Sequence, residues 1–214
     1  MNLHSATIAA AMGASSPTGT GFRPRLTQDE KTAETRRRLL DAAIGCLVER
    51  GYANTTTSEI AERAGLSRGA QLYHFPKKEE LLTSAVEHMC ELMYVEITER
   101  VGRLTNVDDR RAMAIDLLWE ISRGRLMTAW TEIIVASRTD SYLRETVTAA
   151  TDRSIEFIAQ SFKELFPPPE GAGDFYDVIP NMVIMLLTGM ALQEHTLNRE
   201  LWTKILTALK TFKP

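Results

Sequence analysis

The feature that most constrains this chain is the spacing of its apolar residues. Leu39, Leu40, Ala43, Ile44, Leu47 and Val48 recur at i, i+1, i+4, i+5, i+8 and i+9, which puts them on one face of a helix. The same period returns along most of the chain, and no segment alternates apolar and polar residues as a half-buried strand does. There is no internal repeat. The expected fold is all-α. A first helix runs from about Gln28 to Gly51, a residue that ends helices because it enters the left-handed region without strain. Thr56-x-x-Glu59 has capping-box spacing and opens a second helix over 57–64. Ala64-Gly65-Leu66-Ser67 forms a short turn, and Ser67 caps a third helix through about His74. Pro76, favoured at helix starts, opens a fourth that runs to about Arg103. Further helices are expected over 108–122, 125–138, 140–166, 175–196 and 199–212. Their separators are Asn106-Val107-Asp108, Gly124, Thr139-Asp140, the Pro/Gly loop at 167–174 and Asn198.

The 214 residues are 44% hydrophobic and 25% charged, enough apolar material for a sizeable core. Residues 1–27 are rich in Gly, Ser, Thr, Ala and Pro without sustained period, and are expected to be a disordered tail. No apolar run approaches the about 18 residues that span a bilayer, so no membrane partner is expected. "TIAAAMGAS" lacks a basic segment before it, so a signal peptide is not expected either, and the expected compartment is the cytoplasm. Cys46 and Cys90 lie in amphipathic helical segments with no CxxC or Cys-His spacing, as buried free thiols would. His4, His88 and His195 have no partners at ligand spacing, so no metal and no cofactor is expected. No nucleophile elbow, phosphate loop or paired-carboxylate signature is present, which argues against an enzyme.

Charge divides unevenly. Residues 1–78 hold 11 Lys and Arg against 7 Asp and Glu, a net of +4, while residues 79–214 hold 14 against 21, a net of −7. A basic N-terminal module on an acidic body is one reading of that split. Within the module, Ile60, Ala61 and Ala64 offer a small apolar face, Gly65 gives a turn and Leu66 plugs the joint between two short helices. That is what a helix-turn-helix requires. Arg68, Gly69 and Gln71 then fall near the start of the second helix, where Arg can bond guanine, Gln can pair with adenine, and Gly lets the backbone approach. Thr57, Ser67, Tyr73, His74 and Lys78 carry donors suited to phosphate oxygens. Lys77 and Lys78 oppose the dipole of the helix they open. A DNA phosphate at that N-terminus would turn the penalty into attraction; neutralisation by Glu79 and Glu80 in solvent is the alternative. Arg23 and Arg25 read as solvated, with a minor-groove arm as the alternative.

The segment from about Thr35 to Leu82 resembles the DNA-binding domain of the TetR family of transcriptional regulators. The resemblance rests on the apolar helix ending "ERGY", then "TTTSEIAERAGLSRG", then "YHFPKKEEL". It implies a homodimeric all-α regulator with phosphate or groove contacts from Thr57, Ser67, Arg68, Gly69, Tyr73, His74 and Lys78. It also implies a C-terminal body that binds a small ligand. Three segments follow: the tail at 1–27, a DNA-binding domain at 28–75, and a ligand-binding and dimerisation body at 76–214. One departure stands out, because the family commonly has Leu-Tyr where this chain has Gln71-Leu72. Either the helix turns slightly, so that Leu72 packs and Gln71 faces DNA, or Gln71 fills a polar niche; the first is the expectation.

In the body, Trp119, Met127, Trp130, Phe157 and Met185 supply bulk and adaptable thioethers for a cavity, with Arg123 and Gln193 as polar guides. Arg125 and Glu132 are further candidates for that polar role. The expected effector is apolar or amphipathic. "NMVIMLLTGMALQEH" at 181–195 is apolar on more than one side and wants burial on two faces. Helices near 140–166 and 175–196 are therefore the expected homodimer interface, which would present two recognition helices to a palindromic operator of double-stranded DNA. The expected function is a ligand-released repressor. The alternative is an all-α small-molecule carrier or enzyme whose N-terminal domain is structural.

Overall fold

The computed structural model describes residues 27–103, 109–171, 173–196 and 198–211. The tail through residue 26, with Arg23 and Arg25, lies outside them, as does the separator at 106–108. Among the described residues there are nine helices and no strand: α1 Gln28–Asn54, α2 Thr57–Arg63, α3 Arg68–His74, α4 Lys78–Gly102, α5 Arg110–Ser122, α6 Arg125–Ser137, α7 Ser141–Leu165, α8 Phe175–Leu192 and α9 Arg199–Thr211. The protein is all-α. From Glu34 onward the described helices belong to one compact unit. Before it lies the start of α1, where Thr27 Oγ1 accepts the Glu30 N–H at 3.2 Å and Glu30 returns the bond to the Thr27 N–H at 2.7 Å.

Local signals account for most helix limits. Gly51 sits at φ 73 inside α1 and breaks its helical geometry, so the chain kinks there and one further turn carries it to Asn54. Thr56 and Glu59 complete the expected capping box of α2. Asp109 and Asp140 cap α5 and α7 through bonds from Ala112 N and Leu143 N. The helix expected over 175–196 stops earlier, at Leu192. It carries Pro180 inside, which removes one backbone donor without ending the helix.

The expectation that no segment could cross a membrane needs correction at α8, which is long and apolar enough by length and composition. Asp177 and Asn181 interrupt the run, which hides it from a search for uninterrupted apolar residues. Tyr176, Pro180, Leu187 and Met190 turn inward, whereas Phe175, Val178, Met182, Met185, Leu186 and Leu192 are exposed.

Three apolar clusters fill the interior. The first joins Leu39, Ala43 and Cys46 of α1 to Ile60, Ala64, Phe75 and the α4 residues Leu81 and Ala85. A second carries α4 onward: Val86, Met89, Cys90 and Met93 pack with Ile44 and Leu47 of α1, Trp130 and Ile133 of α6, and Val147 of α7. The third holds Leu187, Met190 and Trp202 with Leu118 and Trp119. Helix α4 thus lies in two cores, one at each end of its buried stripe. Both cysteines are free and buried, and burial pushes each thiol pKa up.

Candidate DNA-binding surface and ligand cavity

The turn between α2 and α3 is built from backbone. Gly65, at φ 64, follows the α2 C-cap; its N–H bonds Glu62 O and the Leu66 N–H bonds Ala61 O, each at 2.9 Å. Those two bonds form a Schellman turn, which requires the left-handed residue glycine supplies. Arg38 of α1 donates to Ala64 O and reaches Gly65 O at 3.5 Å. Farther along, Arg36 donates to His74 O at 3.0 Å and stacks its guanidinium 4.2 Å from the centre of the Phe75 ring. Two arginines of α1 therefore clamp both ends of the short α3. Sequence reasoning missed this role, since nothing in the run Arg36-Arg37-Arg38 distinguishes a clamp from a phosphate contact.

The outer face of α3 carries Ser67, Arg68, Gly69, Leu72 and Tyr73, all exposed, with Tyr73 80% accessible. Ser67 caps α3 by accepting the Ala70 N–H at 3.1 Å. Arg68 has no ion pair among the described residues. Thr57, in the first turn of α2, is half-buried. His74 is also half-buried and meets the Tyr73 ring edge-on, with centroids 5.1 Å apart. Its carbonyl serves the Arg36 clamp.

One expected contact is corrected. Gln71 is 1% exposed, while Leu72 is 45% exposed. The side chain lies inside against the α3 C-terminus, its Nε2 donating to Phe75 O at 2.7 Å, and Oε1 is buried without a hydrogen-bond partner. Gln71 therefore fills the polar niche and does not face outward. The physical reason is register: Phe75 must reach the first core, which turns the position four residues earlier inward with it. Lys78 is placed differently from its neighbour. It is half-buried with its ammonium 5.1 Å above the Tyr52 ring, beside Asp140. Lys77 is the outward lysine, its side chain 72% exposed, with only a 4.0 Å approach to Glu80.

Three arginines of this segment are engaged in ion pairs. Arg37 meets Glu34 and Asp41, Arg50 meets Glu59 at 2.7 Å, and Arg63 meets Glu49 at 2.6 Å. Arg68 and Lys77 are exposed on the outer face.

Beyond the Gly51 kink, Tyr52 ties α1 to the body. Its N–H donates to Glu132 Oε2 of α6 at 3.0 Å, and its hydroxyl donates to Asp140 Oδ2 at 2.8 Å. Burial, then the Asp140 bond, push the Tyr52 pKa up to about 12. The Leu143 N–H and the Tyr52 hydroxyl hold the Asp140 carboxyl below its ordinary range. Glu132, expected as a polar guide in the cavity, faces this junction instead.

A cavity of about 300 Å³ lies among α4, α5, α6, α7 and α8. It contains four expected ligand residues, Met127, Trp130, Phe157 and Met185. The other three do not line it. Trp119 stacks edge-on with Trp202, centroids 5.6 Å apart. Arg123 lies over Trp119 and pairs with Glu194, and Gln193 is an exposed C-cap whose Nε2 bonds Gly189 O at 3.1 Å. Helical spacing brought these residues to the right helices, but α5 turns Trp119 toward α9. Sequence reasoning missed Tyr94, Ser154, Asn181 and Thr188, which also line the cavity. Among the described residues no cluster of ligating side chains could hold a metal.

Residues 39–85 match the family model described as bacterial regulatory proteins, tetR family. The HTH-type transcriptional regulator CymR of Pseudomonas putida is 35% identical over 130 residues, covering 61% of this chain and 64% of that protein. The chain thus spans less than two thirds of that relative's length. Among solved structures, a protein of Rhodococcus sp. described as a TetR-family transcriptional regulator superposes with TM-score 0.65 at 19% identity, over 83% of this chain and 97% of that one. The multidrug binding protein EbrR, complexed with imidazole, gives TM-score 0.57 at 17% identity, over 84% and 96%. At such identities the structures speak for the fold. The helix-turn-helix of α2 and α3 lies inside the matched segment, so residues 39–85 are similar to the DNA-binding segment of tetR family regulators.

Proposed function

We propose that this protein is a cytoplasmic DNA-binding transcriptional regulator that holds a palindromic operator as a homodimer, represses from it, and is released by a small molecule in the α4–α8 cavity. In this reading residues 28–75 read DNA and residues 76–214 bind the effector and the second copy. The observation that carries it is the exposed α3 face, with Arg68 unpaired at its first turn on a helix clamped from behind by Arg36 and Arg38. An arginine there is placed for guanine O6 and N7. Ser67, Gly69, Tyr73, Thr57 and Lys77 are the proposed phosphate and groove neighbours, with His74 at the edge of that set. Gln71 and Lys78 are not in it.

The exposed apolar face of α8, with the α7 residue Ile155 beside it, supports a second copy as partner. The TetR-fold neighbour EbrR, a multidrug binding protein complexed with imidazole, supports the cavity as the effector site. The test is fluorescence anisotropy on the promoter beside the protein's own gene. Binding should require an inverted repeat with half-site centres about 34–36 Å apart and fall steeply with salt. Equal affinity for scrambled duplex would overturn operator recognition; an effector that tightens operator binding would overturn release.

A further inference from the structure

We propose that the α4–α8 cavity selects an uncharged molecule, an aromatic or alicyclic skeleton with one or two hydrogen-bonding groups, and rejects the anion of the same skeleton. The inference rests on the reading of this cavity as the effector site and adds the chemical class it takes.

None of the residues that line the cavity is charged. Two charged residues expected there from the sequence are engaged elsewhere: Arg123 with Glu194, and Glu132 with the Tyr52 N–H. A carboxylate or sulfonate entering would leave water without a counter-ion, and an unpaired buried charge is strongly disfavoured.

The lining is nonetheless not wholly apolar. Ser122, Thr151, Asn181 and Thr188 line it, and none of their side chains bonds another described residue. Ser122 is only 5% exposed. Ser154 Oγ donates to Ala150 O at 2.9 Å, so its 3.3 Å contact with Tyr94 leaves the tyrosine as donor and the tyrosine oxygen free to accept. Neutral donors and acceptors in a largely apolar cavity suit an alcohol, phenol, ketone or amide, whose few polar atoms would otherwise lose their water bonds uncompensated. Tyr94 and Phe157, with ring centroids 4.6 Å apart, and Trp130 provide flat apolar walls for a ring.

The test uses two fluorescent probes with one skeleton: neutral N-phenyl-1-naphthylamine and anionic 1-anilinonaphthalene-8-sulfonate. Full-length protein should bind the neutral probe once per chain, at least tenfold more tightly than the sulfonate. Thr188→Trp, which fills the cavity, should abolish the neutral signal. Thr151→Lys, which places an ammonium in the wall, should shift the preference toward the sulfonate by tenfold or more. Equal or tighter sulfonate binding in the unaltered protein, blocked by Thr188→Trp, overturns the uncharged class and leaves the cavity as a ligand site. Neutral-probe binding that is absent, or that survives in a folded Thr188→Trp protein, overturns the cavity reading itself.

Discussion

Neighbouring residues with like chemistry have opposite fates in this protein. Lys77 is the α4 N-cap and points to solvent, while Lys78 lies over the Tyr52 ring beside Asp140. Lys77→Ala should therefore weaken operator binding across sequences and reduce the slope of log affinity against log salt by about one. Lys78→Ala should leave that slope unchanged. Equal slopes in the two variants would reverse the assignment. A similar contrast separates Arg68 from Gln71. Arg68→Ala should relax base preference in a panel of operator variants. Gln71→Met should leave the panel unchanged and shift stability by less than about 1 kcal/mol in urea melts, because it exchanges one hydrogen bond for relief of an unpaired buried Oε1. A changed base preference in Gln71→Met would place that side chain outside after all.

At the scale of elements, the kink at Gly51 governs how α1 meets the body. A Cβ there would stand 2.8 Å from Glu132 Oε2 on a backbone at φ 73. Gly51→Ala should cost about 1–2 kcal/mol, from the left-handed strain and the displaced carboxylate. The Tyr52–Asp140 bond beyond the kink sets a pH window. The raised tyrosine pKa means its contribution is present below the ordinary value of 10 and is lost as pH rises through about 12. The lowered aspartate pKa means its contribution is present above 3.8 and is lost as pH falls through the depressed folded value. Tyr52→Phe should thus lower stability by about 1 kcal/mol at neutral pH, and the difference from the unaltered protein should shrink and then reverse in alkali as the buried tyrosine ionises. A variant that is still the less stable one above pH 12 would remove Tyr52 ionisation from the account. The helices themselves were legible in the sequence because period, caps and glycine turns are local signals: Thr56, Glu59, Ser67 and Gly65 each act within a few residues. The Arg36 and Arg38 clamps, the burial of Gln71 and the turning of Trp119 toward α9 were not. The clamps and the turning of Trp119 are decided by partners many positions away that neither residue type nor spacing names, and Gln71 follows Phe75, four residues on, into a core that distant helices complete.

Across the whole molecule, α6 joins the two proposed activities. Met127 and Trp130 face the cavity, while Glu132 on the same helix holds the Tyr52 N–H at the end of α1. A ligand that shifts α6 would act on the helix that clamps α3, provided it binds the two arrangements with different affinity. Glu132→Gln should therefore reduce the factor by which effector lowers operator affinity more than it changes either affinity alone. The proposed second copy would bear on the same cavity. Met185 lines it and is also 66% exposed, on the α8 face that includes Val178 and Met182. A partner packed on that face would cover both the apolar stripe and the cavity wall. Met182→Glu, which lies on the stripe and does not line the cavity, should give monomers by light scattering. It should also lower operator affinity by about 100-fold or more, because two tethered half-site contacts become one. Ligand affinity should fall with it, since Met185 would lose its cover. A Met182→Glu protein that remains dimeric would move the interface off α8. A monomer with unchanged ligand affinity would separate dimerisation from the cavity.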